Sequence, residues 1–355
     1  MFLSSPAKQR RNEPHTRMKT RFRRTLLGTL MVLATTLNAA TPAASLTTKP
    51  DSWFLSDEGR KTVECILSWQ SEQGDWPKNT DTSKKEFSGD RSKLKGTFDN
   101  GATTGELRLL ARAFRATNDA RYKQAFLAGF DHILKAQYPN GGWPQYFPLS
   151  EQYHRHITFN DGTMIRLMEF LRETATSGDY AFLDEDRRGA ALKAVDRGID
   201  CIVKCQVIVN GTPTVWCAQH DEVTLAPANA RSYELASLSG AESAGILIYL
   251  MSLDQPTPEV VRAVKGGVAW FESSKIEGFR YKRSSSEPNL TKDPSAPPLW
   301  ARFYEIKSNR PFFCDRDGVV KYDVEEIGGE RRKGYSWYGN AGEKVAQAYA
   351  KWPHR

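Results

Sequence analysis

Two short turns put oxygen-rich side chains ahead of apolar helices. Thr97-Phe98-Asp99-Asn100-Gly101 leads into 102–110, and Thr158-Phe159-Asn160-Asp161-Gly162 leads into 163–171. Carboxylate and amide oxygens are hard ligands suited to Ca²⁺. The chain has no EF-hand loop, so substrate and water would have to complete the shell. The plainer alternative is that Asp99 and Asp161 cap their helices by accepting hydrogen bonds from the first free N–H groups. Arg231 lies in Ala228-Asn229-Ala230-Arg231-Ser232-Tyr233-Glu234, at the expected start of a third helix. A cation is disfavoured against the positive end of a helix dipole, which suggests a use; a surface pair with Glu234 is the bland one. Arg302 stands in Leu299-Trp300-Ala301-Arg302-Phe303-Tyr304, and Arg316 follows in Asn309–Gly318. Arginines interleaved with aromatics suit an anionic ligand with flat apolar faces, because a guanidinium grips a carboxylate with two parallel hydrogen bonds. Aromatic core, with Asp315 and Asp317 neutralising neighbours, is the alternative.

The elements that must position these groups are helical. Leu107, Leu110, Ala111 and Phe114 follow one turn, and Met164, Leu167, Met168 and Leu171 follow the other. Both sets have the spacing of one buried helix face, so Asp99 and Asp161 are expected at equivalent helix starts in two copies of one unit. A second signal recurs. Helical patterns ending in Gln70, Gln137 and Gln206 are each followed by a Trp turn: Gly74-Asp75-Trp76-Pro77, Gly141-Gly142-Trp143-Pro144-Gln145 and Val215-Trp216-Cys217-Ala218-Gln219. A polar loop and another helix come next, near 101–116, 162–174 and 233–253. The unit is helix, Trp turn, loop, helix, three times over. A long period with two helices per unit fits a helical array or closed toroid, in which neighbours cover faces that neither helix can bury alone. The expected fold is mostly α, an incomplete (α/α)3 toroid of helical hairpins with minor short β elements. Helices at 259–273 and 341–351 would form a fourth pair. In such an array Asp99, Asn100, Asn160 and Asp161 should cluster on one side with Trp143 and Trp216, whose indoles would stack on sugar.

The formal charge of +8 does not describe the folded part. Residues 1–43 hold eight basic groups and one acid, which leaves about +1 for the remainder. That stretch has the build of a secretory signal: Arg21, Arg23 and Arg24, the apolar run 26–37, then Ala39, Ala40, Ala43 and Ala44. Residues 1–44 therefore read as signal peptide and leader, with Met18 as an alternative start, and 45–355 as a single catalytic domain. The apolar run is too short to span a bilayer, so no membrane span is expected in the mature protein. The expected location is secreted or periplasmic, and the expected state a monomer. The five cysteines, Cys65, Cys201, Cys205, Cys217 and Cys314, match neither a disulfide framework nor a zinc motif. His154 and His156 lack a third metal ligand nearby in sequence.

Exposed aromatics suit sugars; arginine and calcium add preference for carboxylated sugar. An exported protein with both sets points to polyuronide, and export argues against nucleic acid. The turns 97–101, 141–145, 158–162, Trp216–Asp221, Asn229–Tyr233, Trp300–Tyr304 and Asn309–Gly318 together resemble the family 10 pectate lyases, over residues 60–351. The resemblance implies an incomplete toroid and calcium-dependent β-elimination of polygalacturonate. It implies Asp99 and Asp161 at a calcium and substrate cleft with Asn100 beside them, Arg231 as the proposed base, and Arg302 and Arg316 on substrate carboxylates. Two rivals remain at this point: a secreted glycoside hydrolase using Asp99 and Asp161 as its carboxylate pair, and a non-catalytic uronate-binding protein.

Overall fold

The computed structural model describes Met1 and residues 41–355. The possible start at Met18 and nearly all of the leader lie outside the described residues. The expected boundary between leader and catalytic domain, at residue 44, falls inside a helix. Helix α1 (Pro42–Leu46) crosses it: Thr41 Oγ1 accepts the Ala44 N–H at 3.2 Å, and Ala43 is fully buried. The packed body is therefore already under way at Thr41.

Ten more helices follow: α2 (Asp51–Leu55), α3 (Asp57–Ser68), α4 (Thr104–Thr117), α5 (Ala120–Ala136), α6 (Thr163–Thr176), α7 (Glu185–Cys205), α8 (Gly240–Met251), α9 (Pro258–Ser273), α10 (Gly329–Gly334) and α11 (Ala341–Lys351). The strands are two or three residues long and form only two-stranded pieces. Helices adjacent in the chain pack as pairs, α4 with α5, α6 with α7, and α8 with α9, while α11 packs against α8 most closely and also against α9. These are the three hairpins of an incomplete toroid. They straddle the sequence repeat, however. Each hairpin joins the second helix of one unit to the first helix of the next.

The recurring Gln and Trp residues explain why the units stack. Gln70 Nε2 donates to Gly74 O and Ala125 O at 2.9 and 2.8 Å. Gln137 repeats this with Gly141 O and Ala194 O, and Gln206 with Thr214 O and Ala263 O, all within 2.8–2.9 Å. One amide thus ties its own turn to a later helix in each repeat. The indoles close the preceding helix. Trp76, Trp143 and Trp216 donate Nε1–H to Ile66 O, Ile133 O and Ile202 O at 2.8, 2.9 and 2.7 Å. Trp300 does the same to Phe271 O at 2.8 Å. Carbonyls near a helix C-terminus lack intrahelical partners, and a buried donor satisfies one. The Trp turns then hold the next turn in place: Trp76 O accepts Thr97 N–H and Trp143 O accepts Thr158 N–H, both at 3.0 Å.

The remaining departures are local. The third helix begins at Gly240, later than expected, because 231–237 is an irregular turn and Leu238–Ser239 pairs with Phe303–Tyr304 as a strand. All five cysteines are buried free thiols, as packed side chains should be. Among the described residues no helix is long and apolar enough to cross a membrane.

Candidate active site

The two oxygen-rich turns pack against each other and share one backbone shape. Each is a 3₁₀ turn, Asp99–Gly101 and Asn160–Gly162, with a left-handed second residue: Asn100 at φ 54°, ψ 23°, and Asp161 at φ 50°, ψ 24°. Asn and Asp tolerate this conformation better than other non-glycine residues. Neither acid forms a helix cap, since no side-chain cap bond is made at the start of α4 or α6. The equivalence expected between Asp99 and Asp161 also fails. Asp99 matches Asn160, and Asn100 matches Asp161.

The two acids therefore have different surroundings. Asp99 is 2% exposed. Its Oδ2 accepts from Lys78 Nζ and from Gln145 Nε2, the latter at 2.6 Å. Its Oδ1 is buried without a partner, and so is Gln145 Oε1. The Asp161 side chain is 29% exposed. Asn160 Nδ2 donates to its Oδ2 at 2.9 Å, and Arg302 Nη2 lies 3.5 Å from its Oδ1.

A cavity of about 180 Å³ opens between the turns. Asp99, Asn100, Asp161 and Arg231 line it, so four expected site residues converge. Lys78, Gln145, Tyr153, Gln219 and Glu234 line it too. Arg231 does not sit at a helix start. Glu234, which is buried, grips it through Nε at 2.6 Å and through Nη2. The Tyr335 hydroxyl donates to the same carboxylate at 2.6 Å. Burial pulls the Arg231 pKa down, but the bonds and charge of Glu234 outweigh it, and the net shift is upward. Lys78 behaves alike: burial lowers its pKa, and Asp99 raises it further.

Arg302 lies just behind the cavity, with a side chain 10% exposed. Its Nη2 donates to Glu242 Oε1 at 2.6 Å and to Asn160 Oδ1 at 3.0 Å. Arg316 is exposed and pairs with Glu330 at 3.2 Å; its guanidinium is 5.9 Å from the Tyr233 ring, which also packs against Arg231. It flanks the cavity and does not line it. Trp143 must be withdrawn as a sugar platform: it is 0% exposed and its N–H is spent on Ile133. Trp216 is sealed in the same way. The aromatic at the cavity is Tyr153, stacked on His154 with centroids 4.0 Å apart.

Lys78 and Gln145 were missed as site residues, although a signal existed. Both stand two residues after a turn tryptophan, in Trp76-Pro77-Lys78 and Trp143-Pro144-Gln145. The donor set suits a hard cation. Asp99 Oδ1 and Gln145 Oε1 are bare buried acceptors at the cavity, and Asp161 and Asn160 add oxygens. Elsewhere His156 meets Asp221 and Glu222 with ligand atoms within 4.8 Å of one another. That group is largely satisfied: Glu222 takes Arg155 and His156, and Asp221 Oδ1 accepts from Val223 and Thr224.

The sequence profile of the pectic acid lyase family matches residues 70–346. Two solved structures are similar, each with a TM-score of 0.77 and 36% identity. One is a family 10 polysaccharide lyase from Cellvibrio cellulosa, covering 89% of this chain and 98% of its own. The other is a mutant of the family 10 polysaccharide lyase from Cellvibrio cellulosa in complex with trigalacturonic acid, covering 88% and 98%. No curated protein sequence matches. A profile match across 70–346, and 36% identity over 88% of the chain, show that it belongs to the family 10 pectic acid lyases.

Proposed function

We propose that this pectate lyase cleaves polygalacturonate by calcium-dependent β-elimination in the cavity between the two turns, as an exported monomer. The observation that carries the reading is the meeting of Asp99, Asp161 and Arg231 around one opening, with Asp99 Oδ1 left unpartnered. The trigalacturonic acid held by the Cellvibrio relative supports the substrate class.

The C5 proton of a galacturonate lies α to a carboxylate and is weakly acidic. Asp161 and Asp99, with Asn160 and Gln145 near them, would hold the calcium ion. When bound, calcium supplies Lewis-acid charge to the substrate carboxylate. Asn100 and Tyr153 bound the sugar. Arg302 holds Asn160 and Asp161 in register from behind and adds positive field, and Arg316 offers an outlying uronate a guanidinium. Arg231 accepts the C5 proton, the C–H electrons form the C4–C5 double bond, and the C4–O4 bond breaks. Solvent protonates the departing oxygen.

A base role requires a neutral guanidine, and Glu234 keeps Arg231 charged without substrate. Turnover should therefore climb toward alkaline pH. The test is incubation with polygalacturonate, with and without a chelator, following the ultraviolet absorbance of unsaturated product. No absorbance rise in either condition removes the reading. Asp99 fits a hydrolase's paired acid poorly, because Lys78 and Gln145 already occupy one of its oxygens.

A further inference from the structure

A second cavity, of about 400 Å³, adjoins the first and shares Lys78, Asn79 and Asn100 with it. Its other walls come from Thr41 and Pro42 at α1, from Thr80 and Asp81, and from Glu106 in the first turn of α4. Glu106 is 2% exposed, and its Oε2 is buried with no hydrogen-bond partner. The nearby backbone N–H groups of Thr103 and Glu106 favour the charged form of this carboxyl. Oε2 is thus a spare carboxyl oxygen on a residue that lines the cavity. Burial pushes the Glu106 pKa up to about 7, and the two backbone bonds only partly oppose it.

The charges around this carboxyl do not favour an anion. Lys78 is engaged by Asp99, and Asp81 by Lys84 and Ser83. Arg166 reaches over Gly101 from α6, and its Nε donates to Asp161 O at 3.3 Å. The α1 wall contributes no charge. Among the described residues Lys78 is the one cation lining this cavity, and Asp99 neutralises it.

We propose that this second cavity is an accessory sugar site for an uncharged, methyl-esterified galacturonate residue next to the residue being cleaved. Protonated Glu106 donates to the ester carbonyl, and the mixed walls, with Pro42, Pro77 and Ala102 among them, take the ring and the ester methyl. The proposal rests on the polygalacturonate reading and extends it to the pattern of esterification the enzyme accepts.

The test compares kcat/KM on partly methyl-esterified galacturonan with kcat/KM on polygalacturonate, as a ratio, for the full chain. In the wild type the ratio should fall about fivefold or more between about pH 6 and pH 8, as Glu106 loses its proton. In Glu106→Gln, which keeps both an acceptor for the helix start and a donor for the ester, the ratio should stay level with pH. Thr80→Trp, which narrows only the second cavity, should lower the ratio at both pH values. Identical pH dependence in wild type and Glu106→Gln overturns the proposal. Should Glu106→Gln fail to fold, a ratio unmoved by Thr80→Trp overturns it alone. Absence of unsaturated product from both polymers removes the lyase reading and this site with it. Normal cleavage of polygalacturonate without the ratio effects removes the site only.

Discussion

Asp99 and Asp161 occupy twin turns but not twin positions. The two segments differ by exchange of one acid and one amide, Asp-Asn against Asn-Asp, on the same backbone. That exchange buries one carboxylate behind Lys78 and leaves the other partly open beside Arg302. A repeat can thus supply matching frames while the side-chain order divides the labour. The buried acid anchors Lys78 and Gln145; the more open acid lines the cavity beside Asn160 and Arg302.

The largest expected effect lies opposite both turns. Arg231→Lys should lose about 10³-fold or more of turnover, with trigalacturonate still bound in calorimetry. Near-normal turnover would end the base assignment. The next comparison separates the turns. Asp161→Asn should raise the calcium needed for half-maximal rate by about 100-fold, in line with the loss of a charged ligand, with little change in melting temperature. Asp99→Asn should also impair activity, and it leaves the Lys78 ammonium without its partner. A loss of about 2 kcal/mol in denaturant unfolding is expected. Equal stability losses in the two variants would erase the distinction drawn between the turns.

Two smaller effects sharpen the frame. The Glu106 carboxyl has a pKa raised from 4.5 to about 7 in the folded chain. The folded state therefore holds its proton more tightly, and this contribution is complete below about pH 4.5 and lost as pH rises through about 7. Wild type should lose stability relative to Glu106→Gln across that window; parallel curves would contradict it. Last, Tyr153→Ala should raise KM severalfold without a stability change, while Trp143→Ala should cost about 3 kcal/mol or more of stability. A KM effect confined to the Trp143 variant would return the indole to the sugar.

The helical period, the Gln and Trp recurrences and the two turns were legible because each repeats with fixed chemistry. The roles of Trp143 and Trp216 were not, because a tryptophan in a turn reads equally as platform or plug. Only the position of Ile133 O and Ile202 O decides. The pairing of Asp99 with Asp161 was misread because like residues were aligned where like backbone positions should have been. Arg231 was set at a helix start because the apolar residues of 233–239 continue the pattern of α8. Their partner strand at Phe303–Tyr304 lies far along the chain. Lys78 was hidden by its type, since its counterpart after the next tryptophan is Gln145.

The most direct test follows unsaturated product from polygalacturonate in wild type and Asp161→Asn while calcium is removed by a chelator and titrated back. The account predicts no product without calcium, full recovery in wild type, and recovery in Asp161→Asn only at far higher calcium. Undiminished turnover in chelator, or identical calcium curves for the two proteins, would contradict it.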